Sequence, residues 1–205
     1  MNRVLSFAAL AALALAPLPA AAQIRLIPQA GLYTPFSELP SPSAGADALK
    51  KESTLAYGLA LELGAPDAVS FRVNALHATA SDVPVGDIGC QTDCARSTVS
   101  TLTGTLAIRP IPNLILVRPY ALLGGGIKRY QFTKDDLQNE GIGALLSDQN
   151  QITGHVGLGL ELNLGLARLV GELSDMVSKY KDDDAPSDDS LQHDVFFTVG
   201  LVIGD

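Results

Sequence analysis

The stretch Gln151–Leu164, QITGHVGLGLELNL, alternates strictly between two kinds of residue. Even positions from Ile152 read Ile, Gly, Val, Leu, Leu, Leu, Leu, whereas odd positions from Thr153 read Thr, His, Gly, Gly, Glu, Asn. Successive side chains of a β-strand point to opposite faces, while a helix would mix the two sets. The alternation therefore predicts a strand with one aliphatic face and one polar face.

The same pattern recurs along the chain and predicts eight strands in all. The seven other segments are Ile24–Tyr33, Thr54–Leu63, Val69–Leu76, Thr101–Arg109, Leu116–Phe132, Leu166–Tyr180 and the terminal Asp194–Ile203. Because no segment shows a helical period, we predict an all-β fold.

The connections between these strands alternate in length. Three are short turns, at Gly64–Asp67, Pro110–Asn113 and Asn163–Gly165. Four are long and polar, at residues 34–53, 79–97, 133–150 and 181–191. Short turns at one end and long loops at the other are typical of an antiparallel up-and-down barrel that spans an outer membrane.

The polar face of the predicted strands is rich in glycine and threonine and carries charges of both signs. Its charged residues are Glu62, Arg72, Arg109, Arg118, Lys128, Glu161, Arg168 and Glu172. The lumen of an eight-stranded barrel is only wide enough for side chains, and an unpaired charge inside it would be costly. We therefore predict that these residues form a paired network in the half of the lumen nearest the short turns, with the aliphatic face toward lipid. A soluble barrel with an outward polar face remains the alternative.

Several aromatic residues fall near the long-loop ends of the predicted strands. They include Tyr33, Tyr57, Tyr130, Phe132, Tyr180 and Phe197. Aromatic side chains commonly form a girdle at a membrane–water interface. We therefore predict a one-sided girdle at this end.

The N-terminus has the features of a secretory signal peptide. Arg3 precedes the apolar run Val4–Ala16, and the small residues Ala20–Ala22 precede Gln23. We predict cleavage after residue 22, which leaves a barrel domain of residues 23–205. The formal charge of the whole chain is −8, and residues 23–205 carry 13 Lys and Arg against 22 Asp and Glu, a net −9. This acidic balance argues against nucleic acid as a partner.

The two cysteines, Cys90 and Cys94, lie in a polar stretch. Export to an oxidising compartment favours a local disulfide between them. A metal site would need further ligands, and a redox pair usually shows the spacing C-x-x-C. We therefore predict a structural disulfide.

Three other features carry weaker signals for chemistry. The run KDDDAPSDD at residues 181–189 lacks the spacing of a calcium-binding loop and is read as a solvated loop. His77, His155 and His193 lie in different segments without a serine elbow or a metal motif, so we expect no catalytic site, metal or cofactor. Gly124–Gly126 lacks the residues of a phosphate loop, and we interpret these glycines as positions that avoid steric crowding within a strand.

The chain resembles the outer-membrane protein β-barrel domain family, the small eight-stranded barrels. The resemblance is carried by IRLIPQAGLYTPF, RPYALLGGGIKRY, GHVGLGLELNLG and QHDVFFTVGLVIG, together with the signal peptide. It implies a monomer in the outer membrane, with membrane lipids and the barrel-assembly machinery as partners. Such barrels commonly end on an aromatic residue, whereas this chain ends Ile203-Gly204-Asp205.

The resemblance implies less about activity, since the family includes adhesins, envelope supports and narrow pores. We expect a structural or surface-interaction role carried by the long loops. A narrow passive channel is the alternative, and an outer-membrane lipid-modifying enzyme is a remote one.

Overall fold

The computed structural model describes residues 23–36, 52–65, 68–84, 94–111, 116–133, 148–179 and 191–204, with only the backbone at 81–84 and 94–95. The predicted signal peptide, Cys90, Tyr180 and the acidic run at 181–189 lie outside these residues. The side chain of Cys94 is likewise not described. The signal peptide and the disulfide therefore stay predictions.

The described residues form eight strands that follow one another in chain order. They are β1 (Gln23–Pro35), β2 (Thr54–Gly64), β3 (Val69–Pro84), β4 (Cys94–Ile108), β5 (Val117–Thr133), β6 (Gln149–Asn163), β7 (Arg168–Lys179) and β8 (Leu191–Val202). The prediction of eight strands in an all-β fold is confirmed.

The strand boundaries differ from the sequence prediction mainly around β3 and β4. Both strands continue well past the point where apolar alternation ends, so the connection between them is residues 85–93 rather than 79–97. The connection between β4 and β5 is residues 109–116, longer than the predicted turn. Backbone pairing extends β3 and β4 where their side chains no longer show the two-fold pattern. The two shortest connections are therefore residues 65–68 and 164–167.

The eight strands pair antiparallel with their neighbours and close into a barrel through β1 and β8. A path along register partners that starts at Arg25 passes through each strand and returns to β1 at Pro35, ten residues along. With about 3.3 Å per residue and about 4.8 Å between strands, this offset tilts the strands by about 40° from the barrel axis. Because β1 pairs with β8, the described sheet has no edge strand whose backbone N–H and C=O groups would need partners elsewhere.

The outer face of the barrel is aliphatic. On β5 the outward residues run from Val117 to Ile127, and on β6 they run from Ile152 to Leu162. At a tilt of about 40°, these ten-residue spans cover about 25 Å along the axis, the height of the apolar band of membrane barrels. The inner face carries the polar and charged residues, which are buried.

Among the residues that the structure describes, no helix is long and apolar enough to cross a membrane.

We predict that charge on the outer face destabilises the barrel in a position-dependent way. Leu158 is 68% exposed in the middle of the aliphatic band, and Leu158→Arg should lower the free energy of unfolding in lipid by about 2–4 kcal/mol. Leu166 is fully exposed in the turn between β6 and β7, so Leu166→Arg is the control and should have little effect. Urea unfolding in lipid vesicles measures both. Equal effects of the two substitutions would contradict a lipid-facing band.

Candidate functional site

The end of the lumen nearest the shortest turns contains four charged side chains of alternating sign. Arg25 of β1 contacts Glu62 of β2 at 3.2 Å and reaches across to Glu161 of β6 at 2.7 Å. Arg109, directly after β4, contacts Glu62 at 2.7 Å and Glu161 at 3.7 Å. Ser70 donates to Glu62 at 2.8 Å and accepts from Arg109 at 2.9 Å. This lower cluster joins strands on opposite sides of the barrel.

A second ion pair lies further into the lumen. Arg72 of β3 contacts Glu172 of β7 at 2.5 Å, and Glu172 also accepts hydrogen bonds from Gln29 at 3.0 Å and from the Tyr120 hydroxyl. A Cβ at Gly159 would collide with the Tyr120 ring, so glycine at this position leaves room for the tyrosine to reach Glu172. We call these residues the middle cluster.

The upper cluster lies toward the long connections and combines an ion pair with aromatic rings. Lys128 of β5 pairs with Asp194 of β8, which also accepts from the hydroxyls of Tyr33, at 2.5 Å, and Tyr130. The Lys128 ammonium lies 4.9 Å from the centre of the Tyr130 ring, and the Tyr33 ring packs on Phe196. Every one of these side chains is buried.

The charges buried in the described lumen balance. The cations are Arg25, Arg72, Arg109 and Lys128, and the anions are Glu62, Glu161, Glu172 and Asp194. Each contacts at least one opposite charge. Such pairing is what allows charge to be removed from water.

The structure changes the predicted lumen set in three ways. Arg118 and Arg168 are only half-buried, and Arg168 donates to the Gly204 carbonyl at 2.6 Å at the end of the barrel. Arg25 and Asp194 join the network although the sequence analysis did not select them, yet each obeys the alternation of its own strand. The network also continues beyond the half of the lumen nearest the short turns, because Lys128 and Asp194 lie toward the long connections.

The glycines of β5 make room for a contact that crosses a strand. His155 of β6 reaches over β5 to Thr103 of β4, with Nδ1 and Oγ1 2.8 Å apart. Between them, β5 turns Gly124 and Gly126 inward, which are the register partners of His155 and Thr103. A Cβ at Gly124 would collide with the Gly104 carbonyl oxygen, and one at Gly126 would collide with the Leu102 carbonyl oxygen, so both glycines also permit the close approach of β4.

The predicted aromatic girdle is wrong for three of its members. Tyr33 and Tyr130 are fully buried in the lumen, and Phe132 packs against the same cluster. Each lies on the inward face of its strand, and this parity overrides nearness to the strand end. Tyr57 and Phe197 do face outward and are exposed.

A row of polar residues crosses the outer face of five strands. Tyr57, His77, Ser100, Arg129 and Asn150 are consecutive register partners from β2 to β6. The next outward row toward the short turns is aliphatic, namely Leu59, Ala75, Leu102, Ile127 and Ile152. The outer face therefore changes from apolar to polar between two adjacent rows.

Two histidines of the outer face make specific contacts. His77 Nδ1 lies 2.9 Å from Ser100 Oγ, and its ring packs against Tyr57 with ring centres 5.3 Å apart. His193 Nδ1 lies 2.7 Å from a carboxylate oxygen of Asp175, on β8 and β7. His77 and Ser100 lie on different strands, and only the register of β3 and β4 brings them together.

Among the described residues, no group of three or more His, Cys, Asp and Glu side chains could hold a metal ion. The acidic run at 181–189 lies outside them.

No model of a known protein family and no curated protein sequence matches the chain. Its structure is similar to that of Neisserial surface protein A, with a TM-score of 0.57 and 9% identity over 89% of this chain and 98% of that one. It is also similar to a major outer membrane protein from Thermus thermophilus, with a TM-score of 0.53 and 14% identity over 90% and 100% of the two chains. The chain has the fold of the small eight-stranded outer-membrane β-barrels. Sequence identities this low support a shared fold only, so any activity must be inferred from the residues of this chain.

We predict that breaking the middle cluster destabilises this barrel more than losing an exposed charge. Glu172→Gln leaves the buried Arg72 guanidinium beside a neutral amide, which should cost about 3–5 kcal/mol. Glu52→Gln removes an exposed carboxylate just before β2 and should change stability by less than about 0.5 kcal/mol. Unfolding in detergent or lipid compares the two variants. A double variant, Arg72→Met with Glu172→Gln, should recover part of the loss, and no recovery would contradict the pairing.

Proposed function

We propose that the protein is an outer-membrane barrel with a closed lumen that acts as a scaffold for its long connections. The observation that carries this proposal is the balanced set of buried ion pairs, because it fills the barrel interior at three levels. An open aqueous channel would leave such side chains hydrated, whereas Arg25, Arg72 and Lys128 are each no more than 1% exposed.

The outer face supports placement in a membrane. A band of aliphatic side chains about 25 Å tall surrounds a polar interior, the reverse of a soluble barrel. Both structures cited above are of outer-membrane or surface proteins. The predicted signal peptide agrees with export.

The surface-interaction role belongs to the four long connections. Residues 37–51, 85–93, 134–147 and 180–190 together contain 12 Asp and Glu against four Lys. Nearly all of the chain's net charge therefore belongs to one end of the barrel. This composition favours a cationic partner or a partner bridged by divalent cations.

We predict no regular conductance steps from the folded protein in planar bilayers, since the lower, middle and upper clusters all obstruct the lumen. A variant with Lys128→Ala and Asp194→Ala should also stay closed, because the lower cluster remains. Regular steps from the unaltered protein would favour the narrow channel instead. Enlargement of those steps by Arg72→Ala or Glu161→Ala would then identify the lumen as the conducting path.

We also predict a distinct pattern of trypsin cleavage on intact cells. Lys50, Lys51, Lys134 and Lys181 lie in long connections and should be cut. Arg168, the first residue of β7, borders the connection at residues 164–167 at the opposite end and should be protected until the membrane is opened. Mass spectrometry of the fragments identifies the cut sites. Cleavage after Arg168 on intact cells would reverse the proposed orientation, and recovery of the chain with soluble proteins would overturn its membrane placement.

A further inference from the structure

The polar row on the outer face contains a hydrogen-bonded serine and histidine. Ser100 of β4 and His77 of β3 are direct register partners, with Oγ and Nδ1 2.9 Å apart. Both are half-buried and lie on the outward face, so they are reached from outside the barrel rather than from the lumen. A serine held against an imidazole nitrogen is the arrangement that activates a hydroxyl for nucleophilic attack.

Neighbouring residues of the same row complete a site around this pair. The Tyr57 ring packs against the His77 imidazole and limits its rotation. Arg129 is the register partner of Ser100 on β5; its side chain is 53% exposed, and one guanidinium nitrogen lies 3.7 Å from a carboxylate oxygen of Asp148. Directly opposite residues of an antiparallel pair have Cβ atoms about 4.5–5.5 Å apart, and the exposed contact with Asp148 leaves other guanidinium nitrogens within reach of a group bound at Ser100.

The position of the row indicates which chemical groups such a site would contact in a membrane. The adjacent row toward the short turns is aliphatic at Ala75 and Leu102, which lie two residues from His77 and Ser100 on the same faces. His77 and Ser100 are therefore the first polar outward residues beyond the apolar stretches of β3 and β4, which in a bilayer places them at the boundary between acyl chains and headgroups. The ester bonds of membrane lipids lie at that boundary.

We propose that His77, Ser100 and Arg129 form a lipid-facing acyl-ester hydrolase site, with Tyr57 as a positioning residue. The proposal goes beyond the scaffold role and rests on the membrane placement given under Proposed function.

The reaction uses lipid and water. Ser100 Oγ attacks the ester carbonyl carbon while His77 takes the hydroxyl proton, and Arg129 stabilises the negative charge that develops on the carbonyl oxygen. The carbon–oxygen ester bond then breaks, and His77 returns the proton to the departing alcohol. Water attacks the resulting acyl-serine with His77 again as base, which releases a fatty acid and restores Ser100.

When no carboxylate is hydrogen-bonded to its second ring nitrogen, the histidine of a Ser–His pair is a weaker general base than the histidine of a full triad. Among the described residues, no carboxylate is hydrogen-bonded to His77. Slow turnover is therefore expected. The first test accordingly measures covalent labelling of the serine, which needs only a single reaction at each site. A fluorophosphonate probe reacts with an activated serine by displacing fluoride.

The experiment treats the folded full-length protein, in mixed micelles of phosphatidylglycerol and detergent, with a fluorophosphonate. We expect a mass increase on the peptide that contains Ser100. His77→Gln should lower the rate of labelling by about 100-fold, the loss typical of a missing general base. No label on Ser100, or equal labelling of the His77→Gln variant, would overturn the proposal.

Two matched controls lie on the same outer face. Ser53 is exposed and hydrogen-bonded to Thr34 at 3.1 Å, and His193 is bonded to Asp175. Ser53→Ala and His193→Gln should leave labelling of Ser100 unchanged. Heat-dependent gel mobility verifies that every variant is folded, which separates a lost site from a lost barrel.

The lipid substrate is tested by the release of a fluorescent fatty acid from labelled phosphatidylglycerol. Ser100→Ala should abolish release, and Arg129→Gln should lower it by about tenfold, because solvent screens an exposed guanidinium. Labelling without release would overturn the assignment of lipid esters as substrate. Failure of membrane insertion would overturn the proposed function itself and is scored separately by fractionation.

Discussion

The width of an eight-stranded lumen is the constraint on which the rest of this structure depends. The space inside such a barrel is filled by its own side chains, so a charge that points inward leaves water and must contact an opposite charge. Four cations and four anions do so here, and their partners lie on different strands. Each ion pair therefore links different parts of the barrel wall. The inward glycines follow from the same constraint, because a Cβ would collide with the Tyr120 ring at Gly159 and with the backbone of β4 at Gly124 and Gly126.

The outer face meets a different requirement. Lipid offers no hydrogen bonds, so polar residues on this face need partners on the same face. His77 with Ser100 and Asp175 with His193 are examples. The two faces thus satisfy their polar groups differently: ion pairs cross the lumen, whereas the polar pairs of the outer face join adjacent strands.

Much of the architecture could be predicted because alternation is a local property. The faces of Gln151–Leu164 could be assigned from that segment alone, and Arg72, Glu161 and Glu172 were predicted inside the lumen for the same reason. The aromatic residues obey the same alternation. Tyr33 shares the inward face of Arg25 and Tyr130 that of Lys128, so the alternation already assigned both to the lumen. Nearness to a strand end was the wrong criterion, since it ignores which face a residue occupies.

The sequence by itself determined the strand count, the antiparallel barrel and which residues share a face, because each follows from a period of two along the chain. Only the tertiary structure decided which residues meet. Arg25 contacts Glu161 across the closed barrel, whereas His77 contacts Ser100 through the register of β3 and β4. Register is set by pairing between strands and closure by the whole set of eight, so neither is encoded in any one segment. The lumen network is a product of that closure, and the polar row is a product of the register.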